Sequence, residues 1–311
     1  MLNNRLSSAP RQDWRPAPIL VLGAQGQVGT AVAARAADEG FACEALGRAD
    51  CDITDRRAVM RAVEQRCFVI NCAAYTAVDR AETDVEAAKA VNSMGAENVA
   101  VACADATIPL IHLSTDYVFD GKSPRPAREE DRPRPLNVYG RTKLEGEIAI
   151  RKHLVRHIIL RTSWVFSTHG HNFVTTILRL ARSHPELQVV DDQIGGPTAA
   201  TDIASAIAVI IKATADRSFL EWGTYHYCGI PSVTWFEFAR TIVEGWDVQV
   251  SPVATKDYSR QALRPSNSVL DCSRILRIFG IRQPDWRIAP RQVQDADRAS
   301  PAGCKSESAR S

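Results

Sequence analysis

From residue 19 to residue 113 the chain alternates short apolar runs with helical stretches, a pattern that few folds accommodate. Ile19 to Leu22, Phe41 to Leu46, Phe68 to Asn71 and Pro109 to Leu113 read as strands. Val28 to Asp38, Asp55 to Arg66 and a long Ala/Val segment from Val85 to Asp105 read as helices. Consecutive strands separated by a helix cannot pair as hairpins. They pair in parallel, with the crossover helices covering both faces of one sheet. Beyond a Pro-, Arg- and Gly-rich loop that runs to about Val138, a helix over Tyr139 to Lys152 leads to a strand over His157 to Arg161. Thr234 and Glu237 have reciprocal capping-box spacing ahead of an apolar helix ending near Glu244, and Asp271 and Gly280 read as the N-cap and terminator of another. This second half lacks the regular alternation and suits a smaller mixed lobe over the carboxyl edge of the sheet.

Composition removes several classes of partner. A formal net charge of +2 offers no polyanion surface, so no nucleic acid is expected. No apolar run is long enough to span a bilayer and the N-terminal residues lack a secretory apolar stretch, so no membrane association and a cytoplasmic location are expected. Eight cysteines are scattered without any Cys-x-x-Cys pair, and His169 and His171 have no third ligand nearby; no metal site is expected. Residues 1–17 and 291–311 carry no periodicity and are expected to be disordered extensions.

Gly23-Ala-Gln-Gly26-Gln-Val-Gly29 follows the first strand directly and opens the first helix. In that context Gly23 permits a tight turn, Gly26 lets backbone approach a pyrophosphate and Gly29 lets helix and strand pack closely, while the helix N-terminal amides face the phosphates. The expectation is a Rossmann-type doubly wound α/β sheet with a dinucleotide at the loop. At the end of the second strand, where a carboxylate would hold ribose hydroxyls, the chain carries Arg48. A guanidinium there pairs with a 2′-phosphate, so NADPH is the expected cofactor, with NADH as the alternative. A solvated surface arginine is the competing reading of Arg48.

Tyr139 and Lys143 stand four residues apart on one helical face. A carbonyl reduction needs an acid for the carbonyl oxygen, and an ammonium beside a phenol lowers its pKa by favouring phenolate. Thr115, at a strand end, can donate to the same oxygen.

Several segments then carry a resemblance: Asn71-Cys-Ala-Ala-Tyr-Thr-Ala-Val-Asp79, His112-Leu-Ser-Thr-Asp-Tyr-Val-Phe119, Pro135-Leu-Asn-Val-Tyr-Gly-Arg-Thr-Lys-Leu-Glu-Gly146, Arg161-Thr-Ser-Trp-Val-Phe166, Asp192-Gln-Ile-Gly-Gly-Pro-Thr198 and Arg264-Pro-Ser-Asn-Ser268. In this order, from about Ile19 to about Trp286, they resemble the dTDP-4-dehydrorhamnose reductases among the extended short-chain dehydrogenase/reductases. The resemblance implies a catalytic set of Thr115, Tyr139 and Lys143, with Lys143 also on the nicotinamide ribose. It places Gly26, Gln27 and Val28 on the pyrophosphate, Asp52 and Ile53 at the adenine, and Ala73, Ala74, Tyr75 and Thr76 along the middle of the cofactor. Ser114, Asp116 and Trp164 would line a nucleotide-sugar pocket and Arg264 would face the nucleotide phosphates. For Trp164 a core aromatic, and for Arg264 a surface residue, are the competing readings. It divides the chain into a dinucleotide-binding domain over 18–165, rejoined by about 199–228, and a substrate lobe over 166–198 and 229–290. Thr30-Ala31 stands where some members carry a glutamate for a magnesium-bridged dimer, so a monomer or weak homodimer is expected. The implied activity is NADPH-dependent reduction of the 4-keto group of dTDP-4-dehydro-L-rhamnose. Another epimerase or reductase of the family and a non-catalytic NADP-binding regulatory subunit are the alternatives. A dehydratase is disfavoured, because such enzymes place Asp-Glu after the strand-end Thr and here Tyr117 follows Asp116.

Overall fold

In the computed structural model the described residues are 17–216, 218–258, 260–290 and 293–294. Apart from residues 17, 293 and 294, the extensions expected at 1–17 and 291–311 lie outside them. Five strands, β1 (Ile19–Leu22), β2 (Cys43–Leu46), β3 (Phe68–Asn71), β4 (Leu110–Thr115) and β5 (His157–Thr162), join a later strand, Gly223–His226, in one parallel sheet. Their order is Gly223–His226, β5, β4, β3, β1, β2. The chain leaves β1 toward β2 on one side and returns to β3 on the other, so the crevice expected at such a reversal opens at the carboxyl ends of β1 and β3.

Alternate side chains feed two cores. Val21, Ile70 and Ile111 pack with Val32 of the helix Gln27–Asp38 and with Ile203 and Ile207 of the helix Ala200–Thr214. On the opposite face Leu20, Val69 and Leu110 pack with Val59, Val99 and Ile150, from the helices Arg56–Val63, Ala96–Asp105 and Val138–His153. The sheet is thus wound on both faces, and the segment 200–226 returns to it. A third core, with Phe166, Val174, Phe238 and Trp286, lies under the helices Phe173–Ala181 and Trp235–Ile242, beside the paired strands Glu186–Val190 and Gln249–Val253. The capping box is present: Glu237 N–H donates to Thr234 Oγ1 at 3.1 Å and Thr234 N–H to Glu237 Oε2 at 2.8 Å.

Three local expectations need correction. The segment Val85 to Asp105 is not one regular helix; Val85–Lys89 and Ala96–Asp105 are joined by a wide π turn, Ala90–Gly95. The π turn carries Asn92, whose side chain bonds Tyr75 and Thr142. Strand β4 runs past Leu113 to Thr115, because pairing with β5 continues to Thr162. The helix near 271 starts at Ser273 with Cys272 before it, although Asp271 still accepts from Ser273 N–H at 2.8 Å.

Among the described residues no helix is long and apolar enough to cross a membrane, and no three His, Cys, Asp or Glu side chains gather as a metal site. The described cysteines are all free thiols; Cys51, Cys103, Cys228 and Cys272 are buried and Cys67 is exposed.

The helix Val138–His153 is tied to the sheet by a buried charge cluster. Glu147, 0% exposed, accepts from Arg161 through Nε at 2.8 Å and Nη2 at 2.6 Å, from Ser114 Oγ at 2.6 Å and from Arg151 Nη2 at 2.6 Å. Removing one partner of a buried pair strands the other in a poorly solvating interior. Glu147→Ala is expected to cost about 3–5 kcal/mol in urea denaturation; a loss under about 1 kcal/mol would show that the cluster relaxes into water. Burial alone would raise the Glu147 carboxyl, but Arg161 and its other donors outweigh it and hold it below its ordinary value of 4.5. A depressed folded pKa gives stability that is complete above about pH 4.5 and lost as pH falls through the lower folded value, and in Glu147→Ala that acid-side loss should shrink.

Candidate active site

A cleft of about 380 Å³ opens at the carboxyl ends of β1, β3 and β4, lined by Gly26, Gln27 and Val28 on one side and by Thr115, Tyr139 and Lys143 on the other. Its first wall is shaped by glycine. Gly23 has φ +77°, and a Cβ on it would lie 2.5 Å from Ala73 N. A Cβ on Gly29 would lie 2.2 Å from Gly23 O, so neither position accepts a side chain while the turn stays this tight. Gly26 caps the helix Gln27–Asp38 without any side-chain hydrogen bond. The first-turn amides of a twelve-residue helix are thereby left to meet an anion, and a pyrophosphate fits the cradle.

The second wall follows β3. Asn71 accepts from Ala73 N–H at 3.0 Å, and Asn92 clamps Tyr75 by accepting its N–H at 2.8 Å and donating to its carbonyl at 3.1 Å. Ala74 and Thr76 reach the cleft from this clamped loop. Farther out, Arg48 lies at the surface with its side chain 79% exposed and Nε 3.1 Å from Asp52 Oδ2, while Asp52 Oδ1 accepts from Thr54 N–H at 2.9 Å. Arg48 and Asp52 stand together past the end of β2. The Ile53 side chain belongs to the core instead: it is 3% exposed, and a Cβ on Gly95 would lie 2.7 Å from its Cδ1.

The floor holds the polar groups. Thr115 Oγ1 donates to Asp116 Oδ1 at 3.0 Å and accepts from Tyr117 N–H at 3.1 Å. Asp116 and Thr162 line the cleft, and Asp116 Oδ2 and Thr162 Oγ1 are buried without a hydrogen-bond partner. Burial raises the Asp116 carboxyl to about 6, with the nearby hydroxyls of Ser268 and Thr115 opposing it. Lys143, 2% exposed, donates from Nζ to Leu113 O at 2.7 Å and lies 3.2 Å from His112 Nε2. Burial lowers the amine to about 8.

At Tyr139 the expected balance is reversed. Burial pushes the phenol above its ordinary value, Asp116 and Tyr117 push the same way, and a hydrogen bond with Thr115 opposes them. Burial is the larger effect: Lys143, whose Nζ donates to Leu113 O, does not bring the phenol down to its ordinary value.

Three residues expected at the sugar end have other commitments. Ser114 borders the cleft but gives its hydroxyl to Glu147. Trp164 lines the cleft and also stacks on Trp235, with ring centroids 3.4 Å apart and planes 6° apart, and it holds φ +48°. Arg264 does not line the cleft; it forms a fork on Asp79, with contacts of 2.9 and 3.2 Å. The sequence assigns no role to Asn71, Asn92, His112 or Glu147; Asn71 and His112 open two of the segments that carry the resemblance, and Glu147 stands one helical turn after Lys143 on the same face.

Comparison with known proteins agrees with this geometry. Residues 17–298 match the family model described as RmlD substrate binding domain. A dTDP-4-dehydrorhamnose reductase from Sinorhizobium fredii is 40% identical over 284 residues, 88% of this chain and 96% of the relative. One from Aggregatibacter actinomycetemcomitans is 39% identical over 289 residues, 89% of this chain and 98% of the relative. The crystal structure of the Bacillus anthracis dTDP-4-dehydrorhamnose reductase in complex with NADP superposes with a TM-score of 0.84 at 34% identity, covering 90% of this chain and 99% of that one. The chain belongs to the dTDP-4-dehydrorhamnose reductase family.

Proposed function

We propose that this protein is an NADP-dependent oxidoreductase that reduces the 4-keto group of dTDP-4-dehydro-L-rhamnose to give dTDP-L-rhamnose. The observation that carries the reading is the convergence of Thr115, Tyr139 and Lys143 on one cleft with the uncapped helix after Gly26. A relative of this family is described in complex with NADP, which favours NADPH here over NADH. When bound, NADPH supplies the hydride that reaches C4.

The residues of the chain do the rest. Gln27 and Val28 amides hold the pyrophosphate, Arg48 with Asp52 stands at the adenosine end, and the loop from Ala73 to Thr76 runs along the middle of the cofactor. Thr115 Oγ1 turns from Asp116 to donate to the ketone oxygen, and Tyr139 gives that oxygen its proton. A phenol raised by burial stays protonated at neutral pH and still suffices, because a secondary alkoxide is a stronger base than phenolate. Lys143 holds the nicotinamide ribose and stabilises the phenolate that proton transfer leaves. Asp116 and Thr162 offer unpartnered oxygens to sugar hydroxyls, and Trp164 presents its face to the sugar. A purely regulatory NADP-binding role would leave these orphaned oxygens without use.

The direct test is incubation of the purified protein with NADPH and the keto sugar while nicotinamide absorbance is followed; no turnover at any pH rejects the proposal. Tyr139→Phe should lower kcat by about 10²–10⁴-fold while NADPH affinity changes little, and unchanged turnover would remove Tyr139 from its role. Arg48→Asp should weaken NADPH relative to NADH by roughly 10–100-fold, the worth of a charge-assisted contact, and an unchanged ratio would assign the 2′-phosphate elsewhere.

A further inference from the structure

Behind Lys143, away from the cleft, lies a hydrogen-bonded chain that the proposed reduction has not used. Asn71 on β3 and His112 on β4 are register partners, 0% and 1% exposed. Ala73 N–H, which can only donate, faces Asn71 Oδ1 at 3.0 Å. The Asn71 amide nitrogen must therefore be the atom that faces His112 Nδ1 at 3.1 Å. Nδ1 then accepts, and the single proton of a neutral imidazole sits on Nε2. That Nε2 lies 3.2 Å from Lys143 Nζ, which already donates to Leu113 O at 2.7 Å.

We infer that Asn71 and His112 form a relay that controls the protonation of Lys143, with His112 as a positioning residue for the reduction proposed above. The chain has two arrangements, of which only the first makes every bond. A neutral Lys143 accepts from Nε2–H and leaves the Asn71 bond intact. A charged Lys143 has no lone pair, so it needs Nε2 bare; the ring proton must move to Nδ1 and face the Asn71 amide hydrogens. Charging Lys143 therefore sacrifices one buried hydrogen bond, an effect with the same sign as burial. The neighbouring groups do not mask it. Glu147 on the same helix and Cys72 after β3 favour the charged amine, while His157 on β5 and Lys143 itself help burial to hold His112 well below its ordinary value. The ring stays neutral throughout and changes only its tautomer.

Nitrogen-15 NMR of the histidine rings tests this on the unaltered protein. The expected result is that His112 carries its proton on Nε2 above about pH 8 and on Nδ1 below it, without the ring gaining a second proton. The same tautomer across the whole range overturns the relay. In catalysis, His112→Gln, whose amide oxygen can accept from the ammonium, and Asn71→Leu, which frees the tautomer, should both move the alkaline limb of kcat/KM upward by roughly one pH unit. A merely structural role would lower activity at every pH and leave the limb in place, and that result also overturns the relay. The pH profiles rest on the proposed reduction, whereas the tautomer titration does not. A protein that shows the tautomer switch yet reduces no ketone would refute the activity and keep the relay.

Discussion

The pairing of Glu147 with Arg161 is the constraint on which the rest of the site depends. Both charges are removed from water, at 0% and 1% exposure, so their mutual attraction is largely spent on offsetting desolvation. What remains is geometry. Arg161 grips Glu147 through two nitrogens, and Ser114, one residue before Thr115, donates to the same carboxylate. The helix Val138–His153 is thereby fixed in rotation and height against β4 and β5, and with it the Lys143 and Tyr139 side chains one and two turns earlier. Two glycines bring the helix close enough for this. A Cβ on Gly140 would lie 2.1 Å from Tyr117 O, and one on Gly146 would lie 2.2 Å from Asn92 O. The cost of burying charge is met by small residues that shorten the approach.

The contact at Gly146 links this helix to the second wall of the cleft. Asn92 sits in the π turn, and one extra residue per turn is a known way to aim a side chain that a regular helix would misdirect. Its amide reaches Thr142 on the helix and both backbone groups of Tyr75 on the loop after β3. The loop and the helix bearing Tyr139 and Lys143 are therefore held by one buried side chain, 1% exposed. Displacing either displaces the other, which keeps the two sides of the cleft in register.

Legibility in the sequence followed the range of the interactions involved. The four strands from β1 to β4, the phosphate turn and the placing of Tyr139 and Lys143 on one helical face each leave a local pattern of apolar runs, glycines or spacing, and the chain states them through that pattern alone. The capping box at Thr234 and Glu237 is of the same kind. The π turn leaves no signal of its own, because the apolar and Ala-rich pattern runs through it unbroken on either side. Its cause is Asn92 reaching Thr142, fifty residues away. Arg264 meets Asp79 at a separation of 185 residues, and Trp164 stacks on Trp235 across the small lobe. Neither partner can be inferred from periodicity. Ile53 was assigned by position to the cofactor, yet packing against Gly95 claims its side chain. The acidity of Tyr139 is out of reach for the same reason: four residues of spacing brings a lysine to the same face, but only the fold shows how deeply the phenol is buried.

The raised phenol changes how acid catalysis is best understood here. A phenol acidified in advance would lose its proton to water and leave the site without a donor. A phenol raised by burial keeps it until a stronger base forms within reach, so in the proposed reduction transfer is triggered by the developing alkoxide. The same logic applies to Thr115 and Asp116. The hydroxyl of Thr115 is engaged with Asp116 Oδ1, whereas Asp116 Oδ2 and Thr162 Oγ1 have no partner, and each unmade buried hydrogen bond costs about 1–3 kcal/mol. A ketone that draws Thr115 away from Asp116 exposes a further acceptor, and sugar hydroxyls beside that ketone can satisfy all three oxygens together. A substrate lacking those hydroxyls would strand them. In the proposed reduction, discrimination at this cleft thus arises from the penalty of unpaired buried oxygens more than from apolar fit, and it acts on the same groups proposed to protonate and polarise the carbonyl.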